Sequence, residues 1–332
     1  MKKRKEEKMM KKLLSLIMVL AMLTSFAACS SQSADNQTPT TSDTVYNVGL
    51  LQLVEHPSLD EIRTAIVDEI EAQGYGDIIK IDYENGQNDG STMNTIAQKF
   101  VSNGDDAIIA IATPAAQSVA AATQDIPIIF SAVTDPVAAE LVSDLNAPDA
   151  NVTGVSDYID VAAIFGVAED LTPGITKYGF VYNVGEVNSV SVITAAKAYL
   201  DAKGIPYEEA LVTNIGEVTT AAQSLVGKVD AFFLPIDNTV ASAMSNVADI
   251  ANANQIPVYV AADSMVNDGG LATAGVNYTQ LGKQTADMLI RILIEGQSVA
   301  ENPVEVLTEY SVTVNPETAA AIGVDVSKYL QD

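Results

Sequence analysis

One cysteine, Cys29, and one histidine, His56, stand in a chain of 332 residues. A solitary cysteine makes no internal disulfide, so no covalent staple supports the fold. A solitary histidine excludes a metal site built on a histidine cluster, and no metal or cofactor is expected. No GxGxxG follows the first predicted strand and no GxxxxGK occurs anywhere, which removes the dinucleotide fingerprint and the phosphate-cradling loop. No GxSxG elbow is present either. His56 lies close to Ser58 in sequence, which leaves a Ser-His-Asp hydrolase formally open but without its strand-to-helix turn. Basic residues are scarce, 17 against 43 acidic, for a net charge of −26. Seven of the basic and two of the acidic residues fall within positions 1–28, so the remainder carries ten basic against 41 acidic. Such a surface repels nucleic acid and anionic lipid, because phosphate binding depends on clustered Lys and Arg.

What the chain does contain begins with a leader. Lys2, Lys3, Arg4, Lys5, Lys8, Lys11 and Lys12 precede an apolar run over 13–23, interrupted by Ser15, and then Ser25-Phe26-Ala27-Ala28-Cys29. A basic region, a short apolar region and small residues before a cut describe a secretory signal over 1–28, and the apolar run is short of the roughly 20 residues of a membrane-spanning helix. The segment ending at Cys29 resembles a bacterial lipobox, in which the cysteine is lipidated and becomes the mature N-terminus. Phe26 departs from its more usual Leu, and simple secretion is the alternative. Since Cys29 lies at this cut, a His-dependent cysteine nucleophile is excluded as well. Residues 29–44 are small and polar, a disordered tether. About 290 residues remain, enough for two lobes.

The stretch 106–136 organises those residues: a buried apolar run, a Thr-Pro break, an Ala-rich helical segment, a second buried run and a Thr-Asp-Pro break. Continuous β-branched runs fit strands covered on both faces, and the helical segment has the length of a crossover, so this is a βαβ unit of a parallel sheet. Thr113 and Asp135, each just ahead of a proline, read as helix caps. The same alternation predicts strands over 45–54, 78–83, 106–112, 126–132 and 152–155, with helices over 59–73, 92–101, 115–123 and a short one over 137–141. It then starts again, with strands over 177–182, 207–212, 229–234, 256–260 and 271–276 and helices over 187–200, 216–226 and 239–253. The fold class is therefore α/β, two doubly wound parallel-sheet lobes with an interlobe ligand cleft. Matching loops follow the strand ends, and free helix N-terminal amides there suit a carboxylate, while Asp135, Asp237 and Asp263 suit an ammonium group.

Six ordered segments, VGLLQLVEHPSLDEIR, TMNTIAQKFVSNGDDAIIAIATPAAQSVAAAT, IPIIFSAVTDPVAAELV, NVTGVSD, QSLVGKVDAFFLPIDNTVASA and GVNYTQLGKQTADMLIRIL, carry a resemblance over nearly the whole mature chain. The chain resembles the ABC-transporter substrate-binding lipoproteins of the type that includes tryptophan and tyrosine importer components. That resemblance implies a type I periplasmic-binding-protein fold with three hinge crossings, lobe one over 45–155 plus 278–310 and lobe two over 156–277 plus 311–332. It also implies no catalysis, and delivery of a small ligand to a membrane permease driven by a separate ATPase. With the lipobox, it places the protein on the outer face of the cytoplasmic membrane of a Gram-positive cell.

The positions standing in the matching loops are Gln52, Glu55, His56, Thr113, Thr134 and Asp135 in lobe one, and Ser156, Asp157, Asn183, Asn188, Asp237, Asn238 and Asp263 in lobe two. Thr113 with the amides behind it is expected to hold a carboxylate, and Asp237 or Asp135 an α-ammonium. The loops hold almost no Arg, which favours a zwitterion over a phosphate or sulfate. The resemblance points to an aromatic amino acid, for which Phe130, Tyr158 and Tyr182 are stacking candidates; branched-chain amino acids, nucleosides and sugars also suit such clefts. A ligand sensor of the same fold and an exported hydrolase using Asp135 or Asp237 are the alternative functions.

Overall fold

The computed structural model describes residues 44–148, 150–307 and 310–330; the leader, Cys29 and residues 30–43 of the tether lie outside them. The first sheet contains β1 (Tyr46–Gln52), β2 (Ile79–Asn85), β3 (Ala107–Ile111), β4 (Ile128–Ser131), β5 (Val152–Ser156) and the late strand β11 (Glu305–Val306). Their spatial order is β11-β5-β4-β3-β1-β2, with every pairing parallel. The second sheet contains β6 (Tyr178–Asn183), β7 (Tyr207–Val212), β8 (Ala231–Leu234), β9 (Val258–Val260), β10 (Ala272–Gly275) and β12 (Ser311–Val314). It is ordered β12-β10-β9-β8-β6-β7, parallel except where β12 runs against β10. Strands β3, β4, β5, β6 and β8 are buried at every position, which is why β3 and β8 are apolar throughout without alternation.

Both sheets reverse direction of winding after their first strand, between β1 and β3 and between β6 and β8. In open α/β sheets the crevice outside the carboxyl ends at such a reversal is where ligands bind. Three passages join the sheets, after β5, after β10, and between β11 and β12. Helix α1 (Pro57–Ala72) buries Leu59, Ile62, Ile66 and Ile70 at the expected helical spacing. It packs against α10 (Tyr278–Leu293), the helix that follows the second passage. Gly282 permits the close approach: a Cβ there would stand 2.6 Å from the Ile62 carbonyl oxygen.

Helices α2 (Gly90–Asn103) and α3 (Thr113–Ala122) complete the first layer set, and α5 (Val187–Lys203) and α6 (Ile215–Leu225) correspond to them in the second. Some details depart from the sequence reading. Residues 137–141 form turns rather than a helix, because Glu140 adopts φ 57°, in the left-handed region, and the Leu141 N–H bonds back to the Pro136 carbonyl. The helix expected over 239–253 is two, α7 (Asn238–Ala241) and α8 (Met244–Ala253), redirected at Ser242-Ala243 so that Met244 and Val247 reach the core. Helix α4 (Val161–Leu171), just past the first passage, was not anticipated; its N-cap Asp160 accepts from the Ala162 N–H, and Phe165 stacks on Tyr199 and Phe233.

Candidate functional site

The cavity between the lobes sits over both winding reversals. Lobe one and the passages contribute His56, Ser58, Leu59, Ala132, Asp157 and Tyr278; lobe two contributes Asn188, Ile236, Asp237, Asn238, Ala262 and Met265. Backbone geometry at its edge is tight. Ala112 and Ala132, which follow β3 and β4, adopt φ of 81° and 57°. Non-glycine residues in that region carry strain of about 1–3 kcal/mol and persist where the surroundings hold them, commonly at ligand sites.

Asp157 is one of the two carboxylates that line the cavity. It follows β5 at the first passage and is fully buried. The Thr134 hydroxyl donates to its Oδ1 at 2.9 Å and the Tyr278 hydroxyl to its Oδ2 at 3.4 Å. Burial pushes its carboxyl up to about 6, and no described Lys or Arg pairs with it. Tyr278 begins α10 at the second passage, so this one carboxylate ties two of the three passages together. Burial, and then the nearby Asp157 charge, push the Tyr278 hydroxyl well above its ordinary range.

The lobe-two wall is built on two buried carboxylates. Asp237 caps α7: its Oδ1 accepts from the Val240 N–H at 2.8 Å, and its Oδ2 from the Asn183 N–H at 2.5 Å and the Ser189 hydroxyl at 2.8 Å. Burial, then the neighbouring Glu186, raises its carboxyl pKa. Glu186 accepts the backbone N–H and side-chain donors of both Asn238 and Thr239.

Across the cleft, His56 Nε2 stands 3.4 Å from Asn238 Oδ1, the Ser58 and Ser264 hydroxyls bond to each other, and the Ser191 hydroxyl donates to Asp135 Oδ2 at 3.0 Å. Desolvation lowers the His56 pKa, which keeps the ring neutral at pH 7. The lobes are thus in direct contact, a closed arrangement.

The thirteen sequence-predicted positions divide. His56, Asp157, Asn188, Asp237 and Asn238 line the cavity, and Thr134 supports Asp157 from behind. Ser156 holds the passage, its hydroxyl donating to the Thr134 carbonyl and accepting from the Tyr158 N–H. Asn183 orders the lobe-two loop through Thr239, Gly185 and Asp237. Asp135 does not line the cavity; its Oδ1 accepts from the Ala138 N–H in a turn rather than capping a helix. Asp263 stands in the first turn of α9 (Asp263–Asn267), beside Ser264, with burial raising its carboxyl to about 6. Gln52 is turned into lobe one, donating to Asp60 and the Val54 carbonyl and accepting from Arg63. Glu55 accepts from the Tyr83 hydroxyl at the surface. Thr113 lies inside α3 rather than capping it, and its buried hydroxyl has no partner.

The aromatic candidates lie elsewhere: Phe130 is core, Tyr158 is 53% exposed, and the Tyr182 hydroxyl donates to Glu209. Tyr278, which the sequence reading placed only at the start of the returning part of lobe one, is the aromatic that lines the cavity. Glu186 was also missed. Its place in the loop after β6, equivalent to Glu55-His56 after β1, was the available signal.

A family model described as ABC transporter substrate binding protein matches residues 47–331. A tyrosine-binding protein of Clostridioides difficile (strain R20291) is 40% identical over 329 residues, which span 97% of this chain and 94% of that one. A Streptococcus pneumoniae ABC domain solved in complex with L-Trp is 37% identical with a TM-score of 0.82, over 85% of this chain and 96% of that one. The ligand-free, open structure of a Clostridium difficile substrate binding protein with adhesive properties is 42% identical over the same shares of the two chains, with a TM-score of 0.67. The lower score with the open structure, despite the higher identity, accords with the direct contact of the lobes.

Proposed function

The chain belongs to the ABC transporter substrate binding protein family, with the type I periplasmic-binding-protein fold and an extracytoplasmic place beside an ABC permease, and on that premise we propose that its cleft captures a free aromatic amino acid. The observation that carries this is Asp157, a fully buried carboxylate in the cavity that meets two hydroxyls and no cation. An uncompensated buried carboxylate is costly, and an α-ammonium is the ligand group that neutralises it. Asp237 and Asp135, the candidates read from the sequence, already have their oxygens engaged, the first by three donors of its own lobe and the second by the Ala138 N–H and the Ser191 hydroxyl, so Asp157 takes the ammonium role. The unpartnered Thr113 hydroxyl, at the N-terminus of α3 and the end of β3, suits the ligand carboxylate. Similarity to the tyrosine-binding protein and to the L-Trp complex supports an aromatic side chain.

The protein captures ligand without turnover and hands it to the permease. Cys29 is lipidated and anchors the chain by its tether to the outer face of the cytoplasmic membrane. Both parts have direct tests. Thermal-shift screening of residues 45–332 against amino acids, nucleosides and sugars, followed by calorimetry, should give a response to tyrosine, tryptophan or phenylalanine; a ligand at about 100 times its dissociation constant adds roughly 2.7 kcal/mol. A response confined to a sugar or nucleoside overturns the ligand. Fatty-acid labelling that persists in Cys29→Ala overturns the anchor.

A further inference from the structure

The lobe-two wall has a polarity that is set from behind. Glu186 is 4% exposed and does not line the cavity, yet its carboxylate collects five donors. Its Oε2 accepts from the Asn238 N–H at 2.9 Å, from Asn238 Nδ2 at 2.7 Å and from Asn188 Nδ2 at 3.1 Å. Its Oε1 accepts from the Thr239 N–H at 2.9 Å and the Thr239 hydroxyl at 2.7 Å. A backbone N–H, which can only donate, holds each of the two oxygens as an acceptor, so the amides facing them present their NH2 sides. Asn188 Nδ2 also donates to the Ile236 carbonyl at 2.8 Å, which uses its second hydrogen.

The consequence appears on the other side of each amide. Asn188 Oδ1 is buried without a partner, and Asn238 Oδ1 faces His56 Nε2 at 3.4 Å. Since Asn238 Oδ1 accepts, Nε2 is the ring nitrogen that carries the proton, and the buried, unpartnered Nδ1 of the neutral His56 is an acceptor as well. Two acceptors of cavity-lining residues are thereby left without a partner, Asn188 Oδ1 on the lobe-two wall and His56 Nδ1 facing it from lobe one.

We propose that Glu186 is a positioning residue for ligand selectivity: by holding the Asn188 and Asn238 amides with their oxygens toward the cavity, it makes the lobe-two wall read a hydrogen-bond donor on the ligand side chain, a phenol O–H or an indole N–H. The inference rests on the amino-acid reading above, in which Asp157 takes the ammonium and leaves this wall for the side chain. A ligand lacking the donor leaves a buried acceptor unpaired, which corresponds to about a ten- to hundredfold loss of affinity.

Calorimetry with tyrosine and phenylalanine tests this on the wild type and on Glu186→Gln. The wild type should bind tyrosine at least about tenfold more tightly than phenylalanine. In Glu186→Gln a side-chain NH2 confronts donors that lost their acceptor, the Asn amides rotate, and the ratio should fall to within about threefold of unity while the folded domain keeps its circular dichroism. Equal binding of both ligands by the wild type overturns the inference and leaves the amino-acid reading standing. Binding of none of tyrosine, phenylalanine and tryptophan overturns that reading instead. A variant that loses affinity for both ligands in proportion, keeping the ratio, shows a merely structural role and overturns the inference. Should Glu186→Gln not fold, Asn188→Leu decides, because it removes one acceptor and leaves the Glu186 bonds to Asn238 and Thr239 in place; an unchanged ratio there overturns the inference.

Discussion

Replacing Asp157 by asparagine removes one charge from a buried site and nearly nothing of its shape. Two opposite effects follow. In the ligand-free domain the carboxyl is raised from 3.8 to about 6 by burial. Its folded form binds a proton more tightly than its unfolded form, so its contribution to stability falls as the pH rises from about 4 to about 6. At pH 7 the full burden of ionising it inside the protein is present, about 3 kcal/mol at the usual 1.36 kcal/mol per pH unit. Asp157→Asn removes that burden, and the Asn oxygen still accepts from Thr134 while its NH2 donates to Tyr278. The ligand-free variant should therefore close more readily than the wild type at pH 7 and unfold at a higher temperature, with both differences vanishing near pH 4. Binding moves the other way. Losing one partner of a buried charge pair costs about 2–5 kcal/mol, roughly 30- to 5000-fold in the dissociation constant for an amino acid. The deaminated analogue, which has no ammonium, should bind the variant no worse than the wild type. In the wild type, affinity for the amino acid should weaken about tenfold per pH unit below pH 6 as the carboxyl protonates. Calorimetry and thermal denaturation across pH 4 to 8 measure both effects. Tyrosine binding by Asp157→Asn within threefold of the wild type refutes the assignment of the ammonium to this carboxylate.

Two further substitutions separate closure from core stability. Ser191→Ala removes a bond made only when the lobes meet, so the dissociation constants of all ligands should rise together by about fivefold, the worth of one such bond near 1 kcal/mol, without a change in selectivity; an altered selectivity in titrations would place Ser191 in the ligand site instead. Phe165→Ala opens the aromatic cluster of Tyr178, Tyr199 and Phe233. It should cost about 3–5 kcal/mol in denaturant unfolding and leave ligand affinity of the folded domain unchanged.

Strand positions were legible in the sequence because burial on both faces demands apolar runs such as residues 107–111 and 231–234, and because matching Ile-Pro segments recur in both halves. The loops that end those strands were legible for the same reason, which is how His56, Asp157, Asn188, Asp237 and Asn238 were reached. Side-chain direction within a loop was not. Gln52 and Thr113 stand at the strand ends of the winding reversal, but Gln52 is turned away by Asp60 and Arg63, residues 8 and 11 places on. Likewise nothing local distinguishes the capping carboxylate Asp237 from the unpaired carboxylate Asp157; the difference lies in donors from residues about 50 positions away in one case and their scarcity in the other. Breaks at Glu140 and Ser242-Ala243 escaped because no Gly or Pro marks either turn at its pivot.

The closed arrangement of the lobes bears on how the protein works. Among the described residues, three direct side-chain bonds hold the lobes together: Ser58 to Ser264, Asp135 to Ser191 at 3.0 Å, and His56 to Asn238 at a long 3.4 Å. At about 1 kcal/mol each, they supply roughly 3 kcal/mol. Against them stand two buried acceptors without partners, His56 Nδ1 and Asn188 Oδ1, at about 1–3 kcal/mol each. Asp157, raised to about 6, adds the burden already reckoned at pH 7. These terms outweigh the three bonds, so closure without ligand is uphill. A zwitterion with a donor-bearing side chain reverses the balance, because its ammonium neutralises Asp157 and its donor satisfies the orphaned acceptors; the ligand shifts the equilibrium by its differential affinity for the closed state. Small-angle scattering of residues 45–332 should accordingly show a larger radius of gyration without ligand, contracting on tyrosine addition at pH 7. At pH 5, where Asp157 is mostly protonated and the closed form loses one of its burdens, the ligand-free protein should be measurably more compact than at pH 7. An apo radius that does not change with pH would mean that the Asp157 charge does not oppose closure.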